Sequence, residues 1–273
     1  MKSLLTQHRP VIMGILNLTP DSFSDGQVNA GIDDFLAKAA QLISEGCAIL
    51  DVGGESTRPD AKPVSLDEEK RRVLPFLEAF RKQYPDFPVS LDTKKYELAK
   101  QAMPYGIQWL NDVSCFSDER FAELVRESDV CYVLMHSRGD AQTMTKLTQY
   151  PQGVVEGVAL ELGLKLERLR HCGVAMSQVV LDLGFGFAKT PEQCLELIES
   201  LSGWEKRFDH NLLFGISRKR FLQGLVGEVP PLDRDDISAR LAVRAYAAGF
   251  DIIRTHNVAL TKKYIADYLS LHS

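Results

Sequence analysis

The chain has little of what several function classes require. Its five cysteines, Cys47, Cys115, Cys131, Cys172 and Cys194, are odd in number and form no CxxC pair. That usage argues against a zinc site or a disulfide framework, and for reduced, mostly buried thiols. Positive charge is not in excess either. Lys and Arg number 32 against 37 Asp and Glu, a net charge of -5. A general nucleic-acid binder carries a basic surface or arm, so no nucleic-acid partner is expected. No apolar run approaches a membrane span, and Met1–Pro10 lacks the apolar core of a signal peptide. The expectation is a cytoplasmic protein with no membrane partner. GxSxG is missing, and no Ser-His-Asp or Cys-His set can be picked out.

What the chain does have is short apolar runs rich in Val, Ile and Leu. Eight of them, Val11–Thr19, Ala48–Gly53, Val89–Asp92, Trp109–Val113, Cys131–His136, Val179–Gly184, Leu212–Ser217 and Ile252–His256, alternate with segments of helical period. Continuous apolar character, rather than alternation, marks strands buried on both faces. The helical segments are Asp33–Gly46 and Ser65–Tyr84, with others near Lys94–Met103, Glu119–Glu127, Gly153–Cys172, Pro191–Ser202, Asp235–Gly249 and Ala259–Leu271. Ser65–Tyr84 opens "SLDE", a capping-box pattern. Its acids Asp67–Glu69 and bases Lys70–Arg72 read as a solvated face. Eight strand–helix units at this length fit an α/β single domain, a (β/α)8 TIM barrel over residues 1–273. A doubly wound open sheet is the competing reading, but no GxGxxG follows the first strand.

In a barrel, function sits at the C-terminal ends of the strands. All eight ends carry groups able to hydrogen-bond or pack against a ligand: Asn17, "DVGGESTRP", Asp92, Asn111, Met135-His136, Asp182, "SRKR" and "RTH". The full ring argues for a small-molecule pocket. Asp92, Asn111, Asp182 and Lys219 mix acceptors and donors, as a flat nitrogen-rich heterocycle requires. A carboxylate can take two parallel N–H bonds from a guanidine-like ring edge. Asp182 suits that role, although it could instead only cap its loop. Asn17, Thr57, Arg58, Arg254 and His256 form an anion set, in which Arg forks onto phosphate oxygens. Arg254 and His256 stand two residues apart, so on one strand both would point the same way. The spacing does not suit a protein-held zinc. A magnesium ion held mainly by phosphate, with one protein oxygen, suits it better.

The stretch "ISRKRF" (216–221) places three cations in a row on an acidic background. Side chains alternate along a strand, so they cannot all face one ligand. Lys219 is expected in the pocket and Arg218 turned away from it. Arg220 is left open between a substrate carboxylate and solvent.

Several motifs together carry a resemblance. "MGILNLTPDSFSDG" (13–26), "ILDVGGESTRP" (49–59), "SLDT", "LNDVS", "DLGFGFAKT" (182–190), "GISRKRF" and "RTHNV" are similar to those of the dihydropteroate synthase family, in its order and spacing. The resemblance implies a (β/α)8 barrel that condenses 6-hydroxymethyl-7,8-dihydropterin pyrophosphate with p-aminobenzoate, using Mg2+, in folate biosynthesis. It implies a pterin site of Asp92, Asn111, Met135, Asp182, Phe187 and Lys219. It also implies a pyrophosphate site of Asn17, Thr57, Arg58, Arg254 and His256, with Asn17 at the metal. Phe23, Pro59, Phe187, Lys219 and Arg220 would shape the p-aminobenzoate pocket. Asp25, Lys219, Arg254 and His256 are the implied catalytic groups, and a homodimer through the late helices is implied as well.

The implied chemistry fits the missing triad. Cleaving the methylene–oxygen bond leaves negative charge on pyrophosphate and positive charge on the pterin. Fixed cations near the first, and a carboxylate such as Asp25 near the second, stabilise that separation. One such preorganised partner is typically worth ~10²–10³ in rate. An arylamine is neutral near pH 7 and needs no strong base. The chain departs from the usual family pattern at Leu183, Ala188 and Asp60, and at Arg220, where a Ser is common. A pterin-binding methyltransferase serving a corrinoid partner would share Asp92, Asn111 and Asp182, but has no need of Thr57 and Arg58. A catalytically silent homologue is the other rival, and turnover discriminates it.

Overall fold

The computed structural model describes residues 9–19, 31–56 and 61–272. Eight parallel strands close into a barrel in sequence order: β1 Val11–Asn17, β2 Ile49–Gly53, β3 Val89–Asp92, β4 Trp109–Asp112, β5 Cys131–Met135, β6 Val179–Asp182, β7 Asn211–Phe214 and β8 Ile252–Thr255. The ring closes where β1 pairs with β8, Met13 opposite Arg254. The open-sheet alternative is thereby excluded. Every expected strand is present, and several stop short of the expected end. β7 ends at Phe214 rather than Ser217, and Arg218 then turns the chain at a left-handed φ of 61°.

The strands have two buried faces, as their continuous apolar character requires. Outward residues such as Leu50, Leu91, Leu110, Tyr132, Leu181 and Phe214 pack under the helices in one large core. Inward residues Val11, Met13, Ile49, Trp109, Cys131, Val133, Val180, Leu213 and Ile252 form a second core that plugs the barrel. Two residues further along, the same inward parity reaches Asp51, Asp92, Asn111, Met135, Asp182 and Arg254. The interior thus changes from apolar to polar toward the C-terminal end of the strands. All five cysteines are free, and four of them are buried.

Helices α1 Ile32–Ser44, α2 Leu66–Gln83, α3 Tyr96–Ala102, α4 Phe121–Arg126, α5 Val154–His171 and α6 Pro191–Glu199 surround the first six strands. Short α7 Trp204–Arg207 and α8 Gln223–Val226, unexpected from the sequence, precede α9 Asp235–Ala247 and α10 Val258–His272. Ser65 caps α2 by accepting from the Glu68 N–H at 3.2 Å. The return half of the box is replaced: the Glu68 carboxylate takes Arg72 Nε at 2.9 Å. The solvated face expected at Asp67–Arg72 is a correction. Glu69 is fully buried, accepts from Thr93 Oγ1 at 2.9 Å and pairs with Lys95. Arg72 Nη1 meanwhile reaches Gly54 O at 2.9 Å. Helix α2 is amphipathic toward the top of β2 and β3, so part of its charge is turned inward to hold those loops.

Candidate active site

One cavity opens at the C-terminal end of the barrel. Asp92, Asn111, Met135, Asp182, Phe187 and Lys219 line it, together with Arg254, Val113 and Gly215. Register explains the grouping: Asp92 lies opposite Asn111, and Met135 opposite Asp182. The motif "LNDVS" divides by strand parity. Asn111 faces the cavity, whereas buried Asp112 accepts from the Ser114 and Phe116 N–H groups at 2.8 and 3.0 Å and holds its loop.

Asp182 combines both readings weighed for it. Its Oδ1 accepts from the Gly184 N–H at 2.8 Å, a loop cap, while the residue also lines the cavity. A Cβ at Gly215 would stand 3.3 Å from Asp182 Oδ2, so glycine keeps that oxygen open to the cavity. Burial raises the pKa of Asp182, and the Lys219 charge opposes the rise. The Lys219 ammonium lies 2.6 Å from Phe185 O and 4.6 Å from the centre of the Phe187 ring, a cation–π contact. Burial pulls its pKa down to about 8, against the pull of Asp182.

Arg254 joins the cavity wall rather than standing beside His256. Its Nε donates to Asp51 Oδ2 at 2.6 Å and its Nη2 to Asp92 Oδ2, also at 2.6 Å. Asn111 Nδ2 reaches the same Asp51 oxygen at 3.3 Å. Desolvation raises the pKa of Asp92, and Arg254 is the main opposing influence. Asp51 Oδ1 and Asp92 Oδ1 are buried and without a hydrogen-bond partner among the described residues. An orphaned acceptor at the cavity calls for a donor from a ligand or water.

His256 lies one residue past the end of β8. There Ser217 Oγ accepts from its backbone N–H at 3.1 Å and meets Nδ1 at 2.9 Å. The shared parity of Arg254 and His256 is therefore spent on different neighbours: Arg254 reaches β2 and β3, and His256 turns toward the segment after β7. Asn17 ends β1, partly exposed and opposite Gly53.

The basic stretch after β7 separates its three cations by a turn, not by strand alternation. Arg218, in the left-handed region, forks onto Asp235 at 2.6 and 2.8 Å, and Asn257 shares that carboxylate at 3.0 Å. Lys219 then enters the cavity wall, and Arg220 is exposed at the start of a 3-10 turn, Arg220–Leu222. Phe23, Asp25, Thr57, Arg58 and Pro59 lie outside the described residues.

Sequence reasoning did not single out Asp51, although "ILDVGG" places a charge in mid-strand. A buried carboxylate two residues before a strand end has inward parity, and that was the available signal. Lys189 was missed for a different reason. It is buried and partners His136, which was read only as a strand-end group, at 2.8 Å across 53 residues of chain, which no local pattern encodes.

A family model described as pterin binding enzyme matches residues 13–256. The dihydropteroate synthase of Synechocystis sp. is 39% identical over 252 residues, which are 92% of this chain and 86% of that protein. Among solved structures, a Xanthomonas albilineans dihydropteroate synthase with 4-aminobenzoic acid superposes with a TM-score of 0.89 at 33% identity, covering 97% of this chain and 94% of that one. A Burkholderia cenocepacia dihydropteroate synthase complexed with 7,8-dihydropteroate gives 0.84 at 34% identity, covering 97% and 92%. With its match to the family model over most of its length, its relatives and its closed barrel, the chain belongs to the pterin binding enzyme family, among the dihydropteroate synthases.

Proposed function

We infer that the barrel mouth joins 6-hydroxymethyl-7,8-dihydropterin pyrophosphate to p-aminobenzoate, giving 7,8-dihydropteroate and pyrophosphate, a step of folate biosynthesis. The observation that carries this reading is a cavity in which two buried carboxylates, Asp92 and Asp182, face the cations Lys219 and Arg254. The 4-aminobenzoic acid and 7,8-dihydropteroate complexes of the two structural relatives support the same substrate pair.

Asp182 accepts the paired N–H groups of the pterin edge, while Asp92 and Asn111 bind the remaining ring positions. Met135 and Phe187 pack the ring, and Lys219 contacts it from the side where p-aminobenzoate enters, with Phe187 shared between the two pockets. The pterin methylene–oxygen bond breaks and its electron pair leaves on pyrophosphate. The p-aminobenzoate nitrogen forms the new C–N bond and releases a proton to solvent. Asn17, Arg254 and His256 stand at the pyrophosphate end. In this reading Asp25, Thr57, Arg58, Phe23 and Pro59 complete the site from the segments outside the described residues. Arg220 is the candidate partner for the p-aminobenzoate carboxylate.

Mg2+ is part of the same reading. Among the described residues no group of three His, Cys, Asp or Glu could hold a metal. A neutral amide oxygen at Asn17 fits an ion held chiefly by phosphate oxygens. Held there, Mg2+ would supply positive charge against the pyrophosphate. A homodimer in the cytoplasm completes the proposal, supported by the exposed Leu269 and Leu271 on α10.

Purified protein incubated with both substrates and Mg2+ is expected to release pyrophosphate only when p-aminobenzoate is present. Release should stop with a chelator and return with added Mg2+. No p-aminobenzoate-dependent release would overturn the assignment. Sedimentation at twice the chain mass is expected, and a monomer at micromolar concentration would remove the dimer.

A further inference from the structure

One buried lysine outside the cavity lining is surrounded by three acceptors, one of them the carbonyl of Phe187, which lines the cavity. Lys189 is only 8% exposed. Its Nζ lies 2.9 Å from Gly184 O, 3.0 Å from Phe187 O and 2.8 Å from His136 Nδ1. An ammonium has three N–H donors and no acceptor, so three acceptors satisfy it fully. Burial pulls the lysine's pKa down to about 7, yet only the charged, three-donor form serves all three neighbours.

The third acceptor fixes the state of the imidazole. His136 Nδ1 must present its lone pair to Lys189, so the ring proton sits on Nε2, which faces Glu161 Oε2 at 3.2 Å. Burial first, and the Lys189 charge second, pull the His136 pKa down to about 4, which keeps the ring neutral near pH 7. Glu161 is held in turn by Arg138 Nε, at 3.1 and 3.0 Å from its two oxygens. Arg138 Nη1 donates to Leu147 O and Gln149 O at 3.1 and 2.8 Å, tying in the segment after β5. The Arg138 guanidinium also stacks 3.8 Å from the centre of the Tyr150 ring, and Tyr150 Oη donates to Ala188 O at 3.0 Å. The chain of contacts leaves the segment after β6, crosses to the one after β5, and returns.

Gly184 connects this chain to the cavity. Its N–H holds Asp182 Oδ1, and its carbonyl is held by Lys189. Phe187, whose carbonyl Lys189 also takes, supplies the ring over the cavity. We propose that Lys189, with His136 as its relay, is a positioning residue for pterin recognition. It holds the segment 183–190 in the one conformation that presents both the Asp182 carboxylate and the Phe187 ring to the ligand. The ligand's identity rests on the function inferred above, and the geometry of the pin does not.

The test measures binding of bare 6-hydroxymethylpterin at pH 6.5, apart from turnover, in wild-type protein and in Lys189→Met. The dissociation constant should rise on the order of 10-fold in K189M, since buried carbonyls lose a charged donor and the segment relaxes. The KM for p-aminobenzoate should rise less than the pterin dissociation constant, because Phe187 alone of the held groups is shared with that pocket, a split that a general loss of structure would not give. His136→Asn keeps an acceptor near Nδ1 and His136→Leu does not. H136N should therefore bind pterin within about 3-fold of wild type, and H136L should match K189M. If K189M fails to fold, the H136N and H136L pair decides. In wild-type protein, ring 15N shifts should show the Nε2–H tautomer at His136. A folded K189M with unchanged pterin affinity, equal affinities of H136N and H136L, or an Nδ1–H tautomer would each overturn the proposal. Wild-type protein that turns over substrate while K189M binds pterin normally would remove the pin and leave the reaction standing. Wild-type protein without turnover or pterin binding would instead strike the inferred reaction.

Discussion

Asp51 grips Arg254 from one layer deeper in the barrel, with Oδ2 2.6 Å from Nε. The same guanidinium spends Nη2 on Asp92 at the cavity wall, also at 2.6 Å. Asp51 is buried, so its charge is balanced inside the barrel and not by solvent. A cation placed between two carboxylates opposes the rise that burial imposes on the Asp92 pKa, and leaves Asp92 only partly satisfied, since its Oδ1 has no partner among the described residues. That remaining capacity is what a ligand N–H can use.

Asp51→Asn should therefore cost both stability and function. Removing one partner of a buried ion pair typically costs about 3 kcal/mol. The freed guanidinium is then drawn wholly onto Asp92, which weakens that carboxylate for the ligand. A urea midpoint lowered by about that energy, with kcat/KM down ~10-fold or more, is expected. Unchanged stability would show that Arg254 is held by Asp92 alone.

Two positions of the loop after β6 share the left-handed region and should respond very differently to substitution. Gly184 has φ 66°, and a Cβ there would fall 1.8 Å from His136 O, a backbone atom that cannot step aside. Gly184→Ala should cost about 3 kcal/mol or more and weaken pterin binding, because the shift removes the N–H from Asp182 Oδ1. Ala188 has φ 48° and already carries its Cβ. Ala188→Gly relieves about 1 kcal/mol of strain, but gives up a buried methyl of similar worth and adds unfolded-state entropy. Its net effect should stay within about 1 kcal/mol. Thermal melts of the two variants check the contrast.

The loop also shows where legibility ends. Strand order, barrel closure and the cavity-lining groups Asp92, Asn111 and Asp182 could be read from apolar runs with polar ends, because strand parity is local and strict. Lys189 could not, since what defines it is a partner 53 residues away in the chain, and parity gave the place of Asp51 but not its partner 203 residues away. Glu69 was misread for a related reason. Charge runs on helices are usually solvated, but its helix faces the tops of β2 and β3, where Thr93 and Lys95 receive it. Arg218 and Lys219 were separated correctly on an incomplete reason, as a left-handed turn and not strand alternation divides them.

The pH profile of kcat/KM should be bell-shaped, with each limb set by burial. Desolvation raises the carboxyl groups of Asp92 and Asp182 above the usual carboxylate range, so activity falls as pH drops and they gain protons. Desolvation lowers Lys219 to about 8, so activity falls again as pH rises through that value and the cation is lost. Lys219→Arg keeps its charge far above this range, and its residual activity should lose the part of the alkaline limb that lies at about 8, leaving the part that Lys189 sets as it loses its proton at about 7. A limb at about 8 that persists in K219R belongs to another group.

Arg220 gives the last prediction, and its exposure sets the size. It stands next to Lys219 in the chain, at the start of the 3-10 turn, with its side chain in solvent. An ion pair made there with the p-aminobenzoate carboxylate is screened by water and is worth at most about 1 kcal/mol. Arg220→Ala should therefore raise the KM for p-aminobenzoate by no more than ~5-fold, less in high salt, and leave bare-pterin affinity unchanged. A rise of ~100-fold would require the side chain to be buried by the bound substrate, since only a desolvated pair reaches that energy. Steady-state kinetics at two salt concentrations distinguish the two outcomes.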